Sequence, residues 1–143
     1  MRASNRIPLV LFLLRLSVFI VMLMWTIEKF VRPEHPAAVY ENFYFISGLG
    51  NSIFTLIGVI QLVIVIGFLL LVEKRFTYGS VLVFHGVSTL SSYKQYLSPF
   101  TDRVAWPMAS PNLLFFAAWP MLAACFALYD LRDLDTLFVI DRR

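Results

Sequence analysis

Three strongly polar side chains stand inside otherwise apolar stretches of this chain, where they could do chemistry. Arg15 lies nine residues past Arg6, Gln61 sits near the middle of an uncharged run, and His85 lies ten residues past Arg75. A helix rises about 1.5 Å per residue, which sets Arg15 roughly 13 Å and His85 roughly 15 Å from the same edge. The three therefore share one expected layer. His85, Thr89 and Ser92 follow at i, i+4 and i+7, with Ser88 beside them, and make one polar stripe on a helix. Such a layer of Arg15, Gln61, His85 and Thr89 could bind a small lipophilic ligand, a quinone head group or a proton. It could equally be an interhelical hydrogen-bond network that fixes packing. No acidic residue falls at the depth of Arg15, which favours an anionic or oxygen-bearing ligand there.

A second polar group comprises Glu28, Lys29, His35 and Glu41, at what should be the outer face of the molecule. A histidine near carboxylates could ligate a metal. The spacing matches no metal motif, so these are read as solvated interfacial charges and no metal is expected. Other chemistries are excluded outright. The single cysteine, Cys125, can form neither an intramolecular disulfide nor a CxxC redox pair. It lies in the apolar run Leu122 to Leu128 and reads as a small buried hydrophobe. With His35 in a connection, His85 has no second intramembrane histidine to share a haem. No Ser-His-Asp arrangement, Gly-rich phosphate loop or HExxH is present. The basic residues are too dispersed for a nucleic-acid partner.

The elements that must position these residues follow from composition. The 143 residues are 59% hydrophobic and 15% charged, with mean hydropathy +0.76. Soluble domains carry about 25% charged residues, and a disordered chain would lack the 14 Phe, 6 Tyr and 3 Trp. A helical span needs about 20 mostly apolar residues. Four stretches qualify, at about 7–30, 52–72, 76–93 and 111–129, and the whole chain reads as one transmembrane domain. The third is uncharged yet rich in Ser and Thr, so its polar side must face other helices. The first is too long for a cleavable signal and has no small-x-small site after it, so it is read as a retained span. The stretch after Pro36, through Tyr40, Phe43 and Tyr44, should lie as a short helix in the membrane interface at the same depth as Trp106.

Orientation follows from the basic residues. With the N-terminus inside, the cytoplasmic face collects Arg2, Arg6, Lys74, Arg75, Arg132, Arg142 and Arg143, against Lys29, Arg32, Lys94 and Arg103 outside. Seven against four favours both termini inside and both long connections outside. The expected fold is thus an all-α, integral-membrane, multi-pass four-helix bundle.

The segment Leu14 to Trp25, with its early Arg15, followed by Glu28-Lys29-Phe30, resembles the first span of DoxX-like membrane proteins. The four-span layout is similar too, and the YkgB-type branch is the nearest in character. This chain has Thr26-Ile27-Glu28 where that span usually carries a glycine before the lysine. The resemblance implies a small inner-membrane protein linked to redox metabolism or oxidative stress, and some members of the family are named as subunits of a quinone-linked oxidoreductase. The leading expectation is an accessory or stress-related protein, not an enzyme on its own, acting through a membrane protein partner, a homo-oligomer or a lipophilic ligand. No cofactor is expected, a quinone being the one candidate. The alternatives are a membrane-anchoring, quinone-binding subunit of an oxidoreductase complex, with Arg15, Gln61 and His85 at the quinone, and a small oligomeric transporter.

Overall fold

Pro8 falls in the first helical turn, where its missing N–H costs nothing, and no other proline follows until Pro33. Between them the computed structural model, which describes residues 6–48, 50–99 and 112–138, forms α1, Ile7–Val31. Pro33 then opens α2, Glu34–Tyr44, with Glu34 in the first turn where the helix dipole favours an acid. Phe45 adopts the left-handed conformation, φ 59°, and the Ile46 N–H donates back to the Tyr40 carbonyl, which stops the helix. The uncharged run becomes α3, Asn51–Leu69. It ends short of Val72 because Leu71 and Glu73 both take positive φ and reverse the chain. Among the described residues three α-helices and two 3₁₀ segments follow in order. These are α4, Lys74–Ser91; α5, Tyr93–Leu97; a 3₁₀ segment, Asn112–Ala117, that runs directly into α6, Ala118–Asp130; and a 3₁₀ turn, Arg132–Leu134.

Among the described residues the structure is all helical. Three stretches are long and apolar enough to cross a membrane: Ile7–Val31, Asn51–Leu69 and Asn112–Asp130. Helix α4 falls below that threshold, yet its two faces differ. Phe76, Val83, Val87 and Leu90 point outward, whereas Thr77, Tyr78, His85 and Thr89 are buried. Average hydropathy cannot distinguish this arrangement from a mixed surface; the helical period can.

Helix α1 packs on α3, α3 on α4, α4 on α6, and α6 back on α1. Glycines set two of the contacts. A Cβ on Gly58 would come within 2.8 Å of the Phe30 ring, and one on Gly67 within 3.1 Å of Thr77. These approaches also fix the antiparallel register of α1 with α3 and of α3 with α4. The core gathers Val18, Met22, Val65, Phe68, Val81 and Leu128, with Cys125 buried among them. Large apolar side chains such as Leu13, Met24, Leu56, Val63, Leu114 and Phe126 cover the outside. An exterior this apolar is unfavourable in water and suits hydrocarbon.

Candidate functional site

Two separate polar regions occur among the described residues, and they divide the sequence-predicted residues differently from the expected layer. The first is at the end of the helices that carries Ile7 and Asp130. Arg15 and Asp135 are both fully buried there, and Arg15 Nη1 lies 3.3 Å from Asp135 Oδ2. Arg15 Nη2 donates to the Leu137 carbonyl at 2.8 Å. The Tyr78 hydroxyl donates to the same Asp135 oxygen at 2.7 Å. Lys74 Nζ donates to the Asp135 carbonyl at 2.7 Å and to that of Arg132 at 3.3 Å. The guanidinium also lies over the Phe12 ring, which in turn packs on Phe138. Arg15 Nε and Asp135 Oδ1 have no partner among the described residues.

This corrects the expectation that Arg15 lacks an acid and shares a layer with Gln61 and His85. Two physical causes explain it. Side chains on a helix lean toward its N-terminus, so the long Arg15 side chain reaches several ångströms back from the depth of its Cα. The chain after α6 also turns inward through Arg132–Leu134 instead of leaving the molecule.

The second region is a half-open cavity of about 640 Å³ between α1, α2, α3 and α4, with Phe115 also on its wall. Gln61 and His85 line it and Arg15 does not. Glu28, Lys29 and His35 line it as well, so part of the expected outer cluster joins part of the expected midplane layer. The register explains the meeting. With Phe30 against Gly58 and Thr77 against Gly67, Glu28 and Lys29, then Gln61, then His85 and Ser88 fall within about one turn, some 5.4 Å, of one level. Glu41 is exposed and outside the lining. Thr89 is also outside it, buried, with its hydroxyl donating to the His85 carbonyl at 2.8 Å.

The cavity's polar groups differ in how far they are committed. His85 Nε2 is 3.0 Å from the Ala118 carbonyl. A carbonyl only accepts, so Nε2 carries the proton and cannot act there as a base. His35 Nδ1 donates to Glu28 Oε1 at 2.8 Å. The Ser91 and Ser92 hydroxyls both donate to the Ser88 carbonyl. Among the described residues Lys29 Nζ hydrogen-bonds only to the Trp25 carbonyl, at 3.2 Å. Among the described residues the Gln61 amide and the Ser88 hydroxyl have no protein partner. The remaining wall is apolar and aromatic, with Met22, Trp25, Ile57, Phe84 and Phe115 prominent.

Tyr40, Phe43 and Tyr44 on α2 face this cavity, although the sequence suggested only an interfacial position for them. Tyr40 stacks edge-on against Tyr44 and Phe54. Burial, reinforced by Tyr44, pushes the Tyr40 phenol above its ordinary range and keeps it neutral. Trp106 lies outside the described residues. Trp25 and Ser88 are the residues that sequence reasoning undervalued. Ser88 had a signal in its place beside the polar stripe of α4; Trp25 had none beyond its proximity to Glu28. No group of three or more His, Cys, Asp or Glu side chains that could hold a metal occurs among the described residues. The arrangement is suited to binding: an apolar space with a few uncommitted polar groups at one level, and no nucleophile paired with a free base. Searches of family models, of curated proteins and of solved structures find no match for this chain.

Proposed function

We propose that this protein is a four-helix bundle of the bacterial inner membrane, DoxX-like in layout, with α1, α3, α4 and the Asn112–Asp130 stretch as its spans and both termini in the cytoplasm. It serves as an accessory protein linked to redox metabolism or stress, binds a lipophilic molecule between its helices, and acts with a membrane protein partner or a second copy of itself. The orientation rests on the excess of basic residues at the end bearing Lys74 and Arg132. The fourth span rests on α4, whose outward face is apolar and whose inward face is polar. A helix of that kind is stable in a bilayer only beside other helices.

The observation that carries the binding reading is the cavity, with the Gln61 amide and Ser88 hydroxyl uncommitted on its wall. A primary amide deep in an apolar helix is costly when unpaired. It is better accounted for by a ligand oxygen than by packing. The test is to purify the full chain from native membranes in a mild detergent and identify what denaturation releases. The expected result is an apolar compound near one equivalent per chain, lost from Gln61→Leu. A native protein that releases nothing, or a Gln61→Leu variant that releases the same compound at the same level, sinks the reading.

A further inference from the structure

We infer that the cavity selects a single-chain amphiphile with an anionic head, a long-chain carboxylate, and that Lys29 recognises its charge. This rests on the reading of the cavity as a lipophilic-ligand site and names the class of ligand. Three observations lead to it. First, Lys29 is half-buried at the wall of an apolar space, and among the described residues its ammonium bonds only the Trp25 carbonyl and forms no ion pair, the Glu28 carboxylate acting on it from a longer distance. Its neighbour Glu28 is held by His35. A cation in such a place gains most from an anion delivered with its own apolar body. Second, the Gln61 amide and the Ser88 hydroxyl stand within about one turn of the Lys29 level, so one carboxylate can take the ammonium on one oxygen and neutral donors on the other. His85, with its Nε2–H given to Ala118, and Ser91 and Ser92, bonded to their own helix, have no donor left for the ligand. Third, size restricts the body. A water-sized group takes about 30 Å³, so 640 Å³ holds about twenty of them. That matches the volume of one long chain with its head, in a space that is half open.

Trp25 lines the same cavity and provides the readout. Dibromostearate quenches tryptophan on contact. It would be titrated into the full chain in maltoside detergent, in parallel with dibromostearyl alcohol and a phospholipid with dibrominated chains. The expected result is saturable quenching by the acid, absent from Trp25→Phe, at a concentration about tenfold lower than the alcohol needs, with little effect of the phospholipid. Lys29→Gln should remove the preference for the acid and leave the alcohol curve in place, which also shows that the cavity is intact. Equal potency of acid and alcohol in the native protein, or a preference that survives Lys29→Gln, overturns the carboxylate assignment while the cavity remains a lipophilic site. Quenching by the phospholipid at the acid's concentration overturns the single-chain assignment. If neither acid nor alcohol quenches the native protein more than Trp25→Phe, the cavity reading fails with it.

Discussion

The two polar regions are built from similar residue types and treat them in opposite ways. Around Arg15 the chain supplies its own counter-ion. One carboxylate, one phenol and the Leu137 carbonyl surround the guanidinium, and Lys74 holds the segment after α6 through the Arg132 and Asp135 carbonyls. Around Gln61 the chain supplies walls, and leaves an amide, a hydroxyl and an ammonium facing open space. A charge that would cost most in hydrocarbon has been neutralised internally, whereas the uncommitted groups are mostly neutral and cheaper to leave exposed. A polar residue inside an apolar helix is therefore not by itself evidence of a site; what distinguishes the two cases is whether the same chain completes its bonding.

The contrast is sharpest at Asp135. Asp135→Ala leaves Arg15 buried without its acid and should cost about 3–5 kcal/mol, read as a fall in unfolding midpoint in detergent. The double change Arg15→Leu with Asp135→Leu should recover most of that loss, giving a strongly non-additive cycle. A single Asp135→Ala loss below about 0.5 kcal/mol would place the pair among ordinary surface contacts and dissolve the comparison. Tyr78→Phe removes one donor from Asp135 Oδ2 and leaves Arg15 in place, so a loss of about 1–3 kcal/mol is expected, smaller when Arg15 is already Leu. The smallest effect belongs to the other region. Gln61→Leu breaks no protein hydrogen bond among the described residues and should change the ligand-free midpoint by less than about 0.5 kcal/mol. A loss as large as that of Tyr78→Phe would mean the amide is a structural tie, and the two regions would then be alike.

Much of the fold was legible in the residues because it depends on local pattern. The apolar runs carry α1, α3 and α6, and the aromatics after Pro36 mark most of α2, which begins earlier, at Glu34. The amphipathic character of α4 was readable from the stripe of His85, Thr89 and Ser92. The site was legible only in part. Gln61 and His85 do face one cavity, since both belong to helix faces that must turn inward. The partner of Arg15 was not legible, because Asp135 is remote in sequence and stands in a charged stretch that resembles a solvated exit. Nor was the convergence of Lys29 with Gln61, which depends on the Phe30–Gly58 approach and hence on tertiary register. Counting residues from charged edges locates Cα atoms, and a long side chain can move its charge by more than a helical turn.

The pairing of Arg15 with Asp135 also imposes an order on biosynthesis. Arg15 emerges from the ribosome with the first helix, whereas Asp135 is made only after α3, α4 and α6. At roughly 5–20 residues per second, that interval is on the order of ten seconds. Throughout it Arg15 exists without the aspartate that neutralises it in the folded chain. A ribosome that stalls after α6 and before Asp135 would release a chain whose helices are all present and whose central charge is still exposed.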